Sequence, residues 1–386
     1  MTSIEDLHRT WGTESYHTHA LLQGWAEFTC YEGVNAQLST YTKQRYEQTP
    51  EQVIEDVFNI YRSINIVPIN YYTEQGVVLA IQDLQASNYN EVEGINGQAT
   101  IGLGNNRGQG INRFLFPNMM TAEPKGRGSN SLKDRFLDDT KLRRAIRICF
   151  EFRTGDNLAS PTALRRALEL VTGENIQNFK SQNARAIAEY LCPVLWGNIY
   201  DYSAGYGGRI LGITSSNMRY QYTGIDPNTE TVENLNYLNS LILTATNNGG
   251  TIIQSVSEEY EPEGIDLAFS SPPYFNLEKY SDEPTQCMVR YTTLDEWFEG
   301  YVAPTMKNIH KGLNSDGVFA TNIADYKSYG NKEYAVCERW IELAEKLGFK
   351  YKQTIKMMLN TRPGVGNDKT AGREKFEGVY VFTKSN

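Results

Sequence analysis

Ser270-Ser271-Pro272-Pro273-Tyr274 is the stretch whose residue types point most directly at chemistry. It follows an apolar run, Ile265-Asp266-Leu267-Ala268-Phe269, that reads as a short buried strand. Two prolines have no N–H to give a sheet ladder, so the strand must end there and the chain leave as a stiff elbow. A hydroxyl, carbonyls freed from pairing and an aromatic ring are thereby held at the C-terminal end of a strand. In open α/β sheets that end is where ligands bind.

A second set of residues lies upstream. Asn198-Ile199-Tyr200-Asp201-Tyr202 reads as a strand, and Ser203-Ala204-Gly205-Tyr206-Gly207-Gly208 then leads into an apolar helix start, Arg209-Ile210-Leu211. A Gly-rich turn after a first strand can hold a pyrophosphate at a helix N-terminus. Here the spacing is not the GxGxxG fingerprint, and Asp201 beside the turn would repel a pyrophosphate. A carboxylate there suits a cationic group such as an α-amine. Asp226, 21 residues after Gly205 at the end of a second strand, suits two ribose hydroxyls. The pair favours a nucleoside carrying an amino acid, S-adenosyl-L-methionine (AdoMet). The plainer alternative is that the glycines only permit a tight turn and the aspartates are solvated strand ends.

These residues need a sheet to position them, and the C-terminal half supplies its pattern. Strands read at 198–202, 220–225, 251–254, 265–269 and 317–321, with helices between them, then a helix over 333–347 and extended segments at 349–358 and 378–383. The alternation predicts an α/β fold, a Rossmann-like seven-stranded sheet that is mostly parallel with an antiparallel last strand. Residues 1–174 read as a separate, mainly helical N-terminal domain and 175–386 as the sheet domain. Helical stripes recur at 51–62, at 138–150 (Leu142, Ala145, Ile146, Cys149, Phe150) and at 181–191. Another follows Ser160-Pro161, a capping hydroxyl and an N1 proline, and ends at Gly173; its Arg165 and Arg166 read as outward-facing.

Composition narrows the classes. The 386 residues carry a net charge of −9, which argues against indiscriminate coating of nucleic acid. Between Arg107 and Arg166, however, thirteen Lys and Arg face six Asp and Glu. That segment is either a solvated helix surface or a phosphate-contacting one. The Gly-rich stretches 97–112 and 124–128 read as loops. Five scattered cysteines without a CxxC, and four histidines including His17 and His19, make a metal site an unfavoured reading. The absence of a long apolar run or a signal-like start points to no membrane segment and to a cytoplasmic location.

Asp201 to Gly208 resembles the AdoMet-binding motif of amino-group DNA methyltransferases, and Ser271-Pro272-Pro273-Tyr274 resembles their catalytic (D/N/S)PPY motif; the resemblance covers roughly 175–386. It implies transfer of a methyl group from AdoMet to the exocyclic amine of a DNA base, with the serine form favouring cytosine N4 and adenine N6 as the alternative. It also implies roles. Ser271 and the Pro272 carbonyl would accept from the target amine, Tyr274 would stack on a flipped-out base, Pro273 belongs to the same catalytic motif, and Ser270 precedes it. Asp201, Ser203, Ala204, Gly205 and Gly207 would hold the methionine part, Asp226 the ribose. Asn178-Phe179-Lys180-Ser181 sits where the family has a further methionine-contacting motif, giving Phe179. DNA is the implied partner, with a restriction nuclease as companion in such systems.

Cys192-Pro193 reverses the Pro-Cys order of carbon-5 cytosine enzymes and precedes the first strand, so it reads as structural. The gaps flanking the two motifs are too short for a large recognition insert, which leaves the N-terminal domain as the recognition candidate and loops 275–293 and 360–375 as flanks of the pocket. RNA or protein-glutamine methylation, or an idle subunit that only binds nucleic acid, are the competing classes.

Overall fold

The structure, a computed structural model, describes residues 50–65, 67–70, 72–95, 97–124, 129–152, 161–172, 175–327, 332–359 and 376–385. His17, His19, Cys30, Ser160, Gly173, the segment 125–128 and the loop 360–375 lie outside the described residues. The chain divides into two compact units: 1–77 with 110–177 and 278–280, and 78–109 with 178–277 and 281–386.

The described part of the first unit is helical. It contains α1 (Pro50–Ile64), the start of α2 (Glu74–Ala86), α3 (Gln109–Leu115), a 3-10 turn (Pro117–Met120), α4 (Leu132–Leu137), α5 (Asp139–Phe152) and α6 (Pro161–Thr172). Helix α4 opens with a capping box: the Ser131 hydroxyl accepts from the Asp134 N–H and the Asp134 carboxylate from the Ser131 N–H. The α5 stripe of Leu142, Ala145, Ile146 and Cys149 is buried as its spacing predicts. Its basic side chains meet the acids of α1. Arg143 donates to both oxygens of Glu55 at 2.6 and 3.1 Å and lies over Phe58, and Arg147 pairs with Glu51. Two of the basic side chains of 107–166 are thus paired with acids from outside that segment. Arg166 is exposed as expected, but Arg165 is 5% exposed and pairs with Glu169 one turn on, a correction to its outward reading. It stands on the same side of the helix as Leu164 and Leu168, close enough to be buried once a carboxylate offsets its charge.

The second unit is built on a nine-stranded sheet among the described residues. Its strands are β1 (Val92–Ile95), β2 (Gln98–Ile101), β3 (Asn198–Asp201), β4 (Gln221–Asp226), β5 (Gly250–Gln254), β6 (Ile265–Ser270), β7 (Leu313–Ile323), β10 (Phe349–Met358) and β11 (Phe376–Lys384). A separate hairpin is formed by β8 (Tyr326–Lys327) and β9 (Glu333–Tyr334). The order is β1-β2-β10-β11-β7-β6-β3-β4-β5. Strands β3, β4, β5, β6 and β7 are parallel, and β11 runs antiparallel to both β7 and β10. This is the Rossmann-like α/β sheet with an antiparallel last strand read from the sequence. Two strands were not foreseen: β2 adds to β10 in parallel and β1 pairs with β2. Segment 78–109 thus belongs with the sheet, where the sequence reading had placed it N-terminal.

The helices of this unit are α7 (Ser181–Leu191), α8 (Gly208–Thr214), α9 (Thr229–Thr246), the short α10 (Cys287–Arg290) and α11 (Leu294–Trp297), α12 (Ala303–Gly312) and α13 (Cys337–Lys346). A π-helical turn, Phe298–Val302, joins α11 to α12. Strand order reverses at β3: the chain proceeds through β4 and β5 on one side and returns through β6 and β7 on the other. The C-terminal ends of β3 and β6 are therefore neighbours at the switch point, where α/β sheets open a ligand crevice.

Candidate active site

The turn after β3 is shaped by its glycines. Gly205 (φ 56°) and Gly207 (φ 74°) occupy the left-handed region that a Cβ disfavours. Gly208 and Gly212 serve packing instead: a Cβ on either would come within 2.1 Å of the Phe179 carbonyl oxygen or 1.9 Å of that of Ser181. A Cβ on Gly205 would find only Ser203 O, at 3.8 Å. The turn is thus closed toward α7 and open at Gly205.

Asp201 sits at the end of β3 and is fully buried. Its Oδ1 accepts from the Ser270 hydroxyl at 2.6 Å and the Ser203 N–H at 3.3 Å; its Oδ2 accepts from Arg209 Nε at 2.8 Å and the Tyr222 hydroxyl at 2.7 Å. Four donors fill the four acceptor positions of the carboxylate. Burial disfavours the Arg209 charge, but the Asp201 carboxylate outweighs it and the guanidinium stays protonated. Burial first, then Asp201, raises the Tyr222 phenol well above its ordinary range, so it remains a donor. The Tyr222 ring reaches Asp201 because glycines, Gly224 and Gly250, lie beside it on the sheet; a Cβ at either would come within 2.8 Å of it.

This corrects the expectation for Asp201. The cation beside it is Arg209, from the chain itself, so it does not present an acceptor to an incoming amine. The N–H groups of the first three turn residues are also engaged: Ser203 with Asp201, Ala204 with the Ile225 carbonyl, Gly205 with Asp226. Ser270 is likewise fully buried and acts as a link between β6 and Asp201 rather than as a surface group. Ala204 is buried too.

The partly exposed groups are Phe179, Ser203, Gly205, Asp226, Ser271, Pro273 and Tyr274. Phe179 packs edge-on against Phe269 at 5.6 Å, near the Arg209 guanidinium, and is brought there by the Asn178 amide donating to the Tyr206 carbonyl. Asp226 accepts one backbone N–H on each oxygen, from Gly205 at 3.0 Å and Asn228 at 2.9 Å. Each oxygen keeps a lone pair, enough for a vicinal diol. Burial pushes its carboxyl up to about 6, opposed by the bonds from Asn228 and Gly205. Asn228 also caps α9, its side chain accepting from the Thr231 N–H, and Glu283 accepts from the Thr229 N–H at the same helix end.

At the elbow, Ser271 stands next to buried Ser270, and Pro272 is buried beneath it. The Tyr274 hydroxyl accepts from the Ala324 N–H at 3.0 Å, just past the end of β7, and its ring meets Tyr326 edge-on at 5.0 Å. Residues that sequence reasoning missed are Arg209, Tyr222, Tyr301, Asn276, Tyr326 and Tyr334. Tyr301, carried on the π-turn, places its hydroxyl 3.0 Å from Ser203 Oγ. Irregular helical turns of this kind often accompany functional sites. Cys192 is remote from the elbow in its contacts: its carbonyl accepts from Tyr220, and burial pushes its thiol up to about 11.

No protein-family model matches this chain. No curated protein matches it either. Among solved structures it is similar to a TehB-like SAM-dependent methyltransferase from Corynebacterium glutamicum, with 15% identity over 58% of this chain and 97% of that one and a TM-score of 0.34. It is similar to the 1,6-didemethyltoxoflavin-N1-methyltransferase of Burkholderia thailandensis, solved with S-adenosylhomocysteine bound (15% identity, 53% and 78% covered, TM-score 0.35). A third is a putative RNA methyltransferase from Pyrococcus horikoshii (11% identity, 53% and 83% covered, TM-score 0.35). The fold assignment rests on the strand order, and these likenesses add no residue role to it.

Proposed function

We propose that this chain transfers a methyl group from AdoMet to the exocyclic amine of a DNA base, cytosine N4 in first place. The observation that carries the reading is the 2.6 Å bond from Ser270 to Asp201, which ties the elbow to the Gly-rich turn. Ser271, the candidate acceptor for an amine, follows Ser270 directly, so this bond supports reading the elbow and the Gly-rich turn as one site. The residues fit AdoMet: Gly205 leaves space, Asp226 retains acceptors for a ribose, and Phe179 offers an apolar edge.

When bound, AdoMet supplies an electrophilic methyl group on its sulfonium. Ser271 Oγ and the Pro272 carbonyl accept from the two N–H groups of the base amine, whose lone pair is otherwise conjugated into the ring. Holding both N–H groups favours a tetrahedral nitrogen aimed along the line of transfer, and positioning of this kind contributes much of a rate. The C–N bond forms as the C–S bond breaks, and the nitrogen then releases a proton to solvent. Tyr274 stacks on the base. No covalent nucleophile is required, in keeping with the distant, high-pKa Cys192. Within the N-terminal part, the exposed Arg144 and Arg166 support its assignment to target recognition.

The test is incubation with methyl-labelled AdoMet and unmethylated DNA, followed by nucleoside analysis. Label in N4-methylcytosine supports the reading; label in N6-methyladenine corrects the base. Transfer to RNA or protein and none to DNA overturns it, as does AdoMet binding without transfer.

A further inference from the structure

The residue two positions beyond the elbow tyrosine has a fixed place. The Asn276 amide is engaged at both ends: its Oδ1 accepts from the Tyr326 hydroxyl at 3.2 Å, and its Nδ2 donates to the Tyr334 hydroxyl at 2.8 Å. Tyr326 and Tyr334 face each other across the β8–β9 hairpin, and their rings stack at 5.2 Å and 14°. Tyr326 in turn meets Tyr274 edge-on at 5.0 Å.

The hairpin's base is anchored independently. Ala324 N–H donates to the Tyr274 hydroxyl, and Asp325 Oδ1 accepts from the Val336 and Cys337 N–H groups at the start of α13. A carboxylate at a helix N-terminus is a favourable anchor. Burial raises the Tyr326 phenol, so it remains a donor to Asn276.

We propose that Asn276 is a positioning residue for Tyr274: its amide cross-braces Tyr326 and Tyr334, and the braced pair fixes the ring on which the target base stacks. Each end of the amide holds one tyrosine hydroxyl, so the role assigned to Asn276 is to set the two rings. The hairpin forms an aromatic wall whose ring planes are set before substrate arrives. Preorganisation of this kind lowers the cost of ordering at the moment of binding. The inference rests on the methyl-transfer reading only for the identity of what stacks on Tyr274; the brace itself is independent of it.

Two variants test it. Asn276→Leu keeps the volume and removes both bonds. Asn276→Asp keeps acceptors to which both tyrosine hydroxyls can donate, so it restores the brace. Turnover on DNA should fall roughly tenfold to a hundredfold in the leucine variant, with AdoMet affinity held. It should return to within about threefold of the parent in the aspartate variant. A second readout needs no activity. In protein carrying 3-fluorotyrosine, the Tyr274 fluorine resonance, assigned through Tyr274→Phe, should broaden or shift in Asn276→Leu and recover in Asn276→Asp. An unchanged Tyr274 resonance in the leucine variant overturns the brace, as does parental turnover in it or an equal loss of AdoMet binding. If the parent protein methylates nothing, the functional reading falls and the fluorine spectrum alone decides the brace.

Discussion

The hydroxyl of Ser270 donates to Oδ1 of Asp201 across 2.6 Å, joining the last residue of β6 to the last residue of β3. Neither side chain reaches the surface. Through Asp201 the bond extends to Arg209 and Tyr222, so the two loops that form the site share one buried polar cluster. Asp201 thereby acts as a keystone of the site, and the following residues, Ser203 and Ser271, are the ones presented outward.

Removing the charge of this keystone should be expensive. Asp201→Asn keeps the shape but leaves the Arg209 guanidinium, 6% exposed, without a counter-charge. Breaking a buried pair in this way costs about 3–5 kcal/mol. Urea unfolding of the variant measures it; a loss below about 1 kcal/mol would mean that Arg209 finds another partner.

The glycines should separate into two kinds. Gly212→Ala drives a methyl against the Ser181 backbone, which cannot move aside, and should destabilise by about 1–3 kcal/mol or more. Gly205→Ala meets open space and bears mainly the left-handed backbone cost, about 1–2 kcal/mol. Its methyl occupies the open side of the turn, so AdoMet affinity should fall roughly tenfold or more, the equivalent of about 1.4 kcal/mol. Calorimetric titration of both variants distinguishes the two effects. Undiminished affinity in Gly205→Ala places the ligand elsewhere.

Asp226 supplies a pH signature. Its carboxyl is raised from an ordinary 3.8 to about 6 in the folded chain, chiefly by burial. The folded state therefore holds its proton more tightly than the unfolded one. Its contribution to stability is present at low pH and is lost as pH rises from about 4 through about 6. Ligand binding runs the opposite way, because two ribose hydroxyls need the ionised acceptor. AdoMet affinity should be flat above about pH 7 and weaken below about 6, by up to about tenfold per unit. Asp226→Asn should bind weakly and without this slope. A wild-type affinity that does not change between about pH 5 and 8 contradicts the assignment.

Cys192 should be dispensable for chemistry. Its thiol is buried and raised to about 11. Turnover of Cys192→Ala should stay within about twofold of the parent once stability is matched. A loss of activity with intact folding would reopen a covalent route.

How far the sequence carried the fold depends on the range of the interactions involved. The strands β3 to β7 were legible because each is a short apolar run closed by a turn or, at Pro272, by a residue that cannot pair. Strands β1 and β2 were not, since four residues each give too little periodicity. The turn between them did carry a signal, Asn96-Gly97, the dipeptide favoured in tight hairpins, and Gly97 has φ 76°. Helix α2 went unread, although Val77, Val78, Ile81 and Leu84 recur at helical spacing and are buried. At the site, Gly205, Asp226 and Ser271 were legible from type and place. The partners of Asp201 were not. Arg209 reads as an ordinary helix residue until α8 turns it back onto β3, and Tyr222 bonds across strands whose register no local pattern states. The tyrosine brace depends on Asn276 meeting residues about 50 positions later, a juxtaposition only the tertiary fold produces.

The most direct measurement compares the parent protein with Ser271→Ala on the same unmethylated DNA, recording labelled methyl transfer and AdoMet affinity together. Loss of one hydrogen bond to a group gaining charge is worth about 1.5–3 kcal/mol, so turnover into base amines should fall roughly 10- to 150-fold, with AdoMet affinity nearly intact. Equal transfer by both proteins, or label in the parent that never reaches a base amine, contradicts the account.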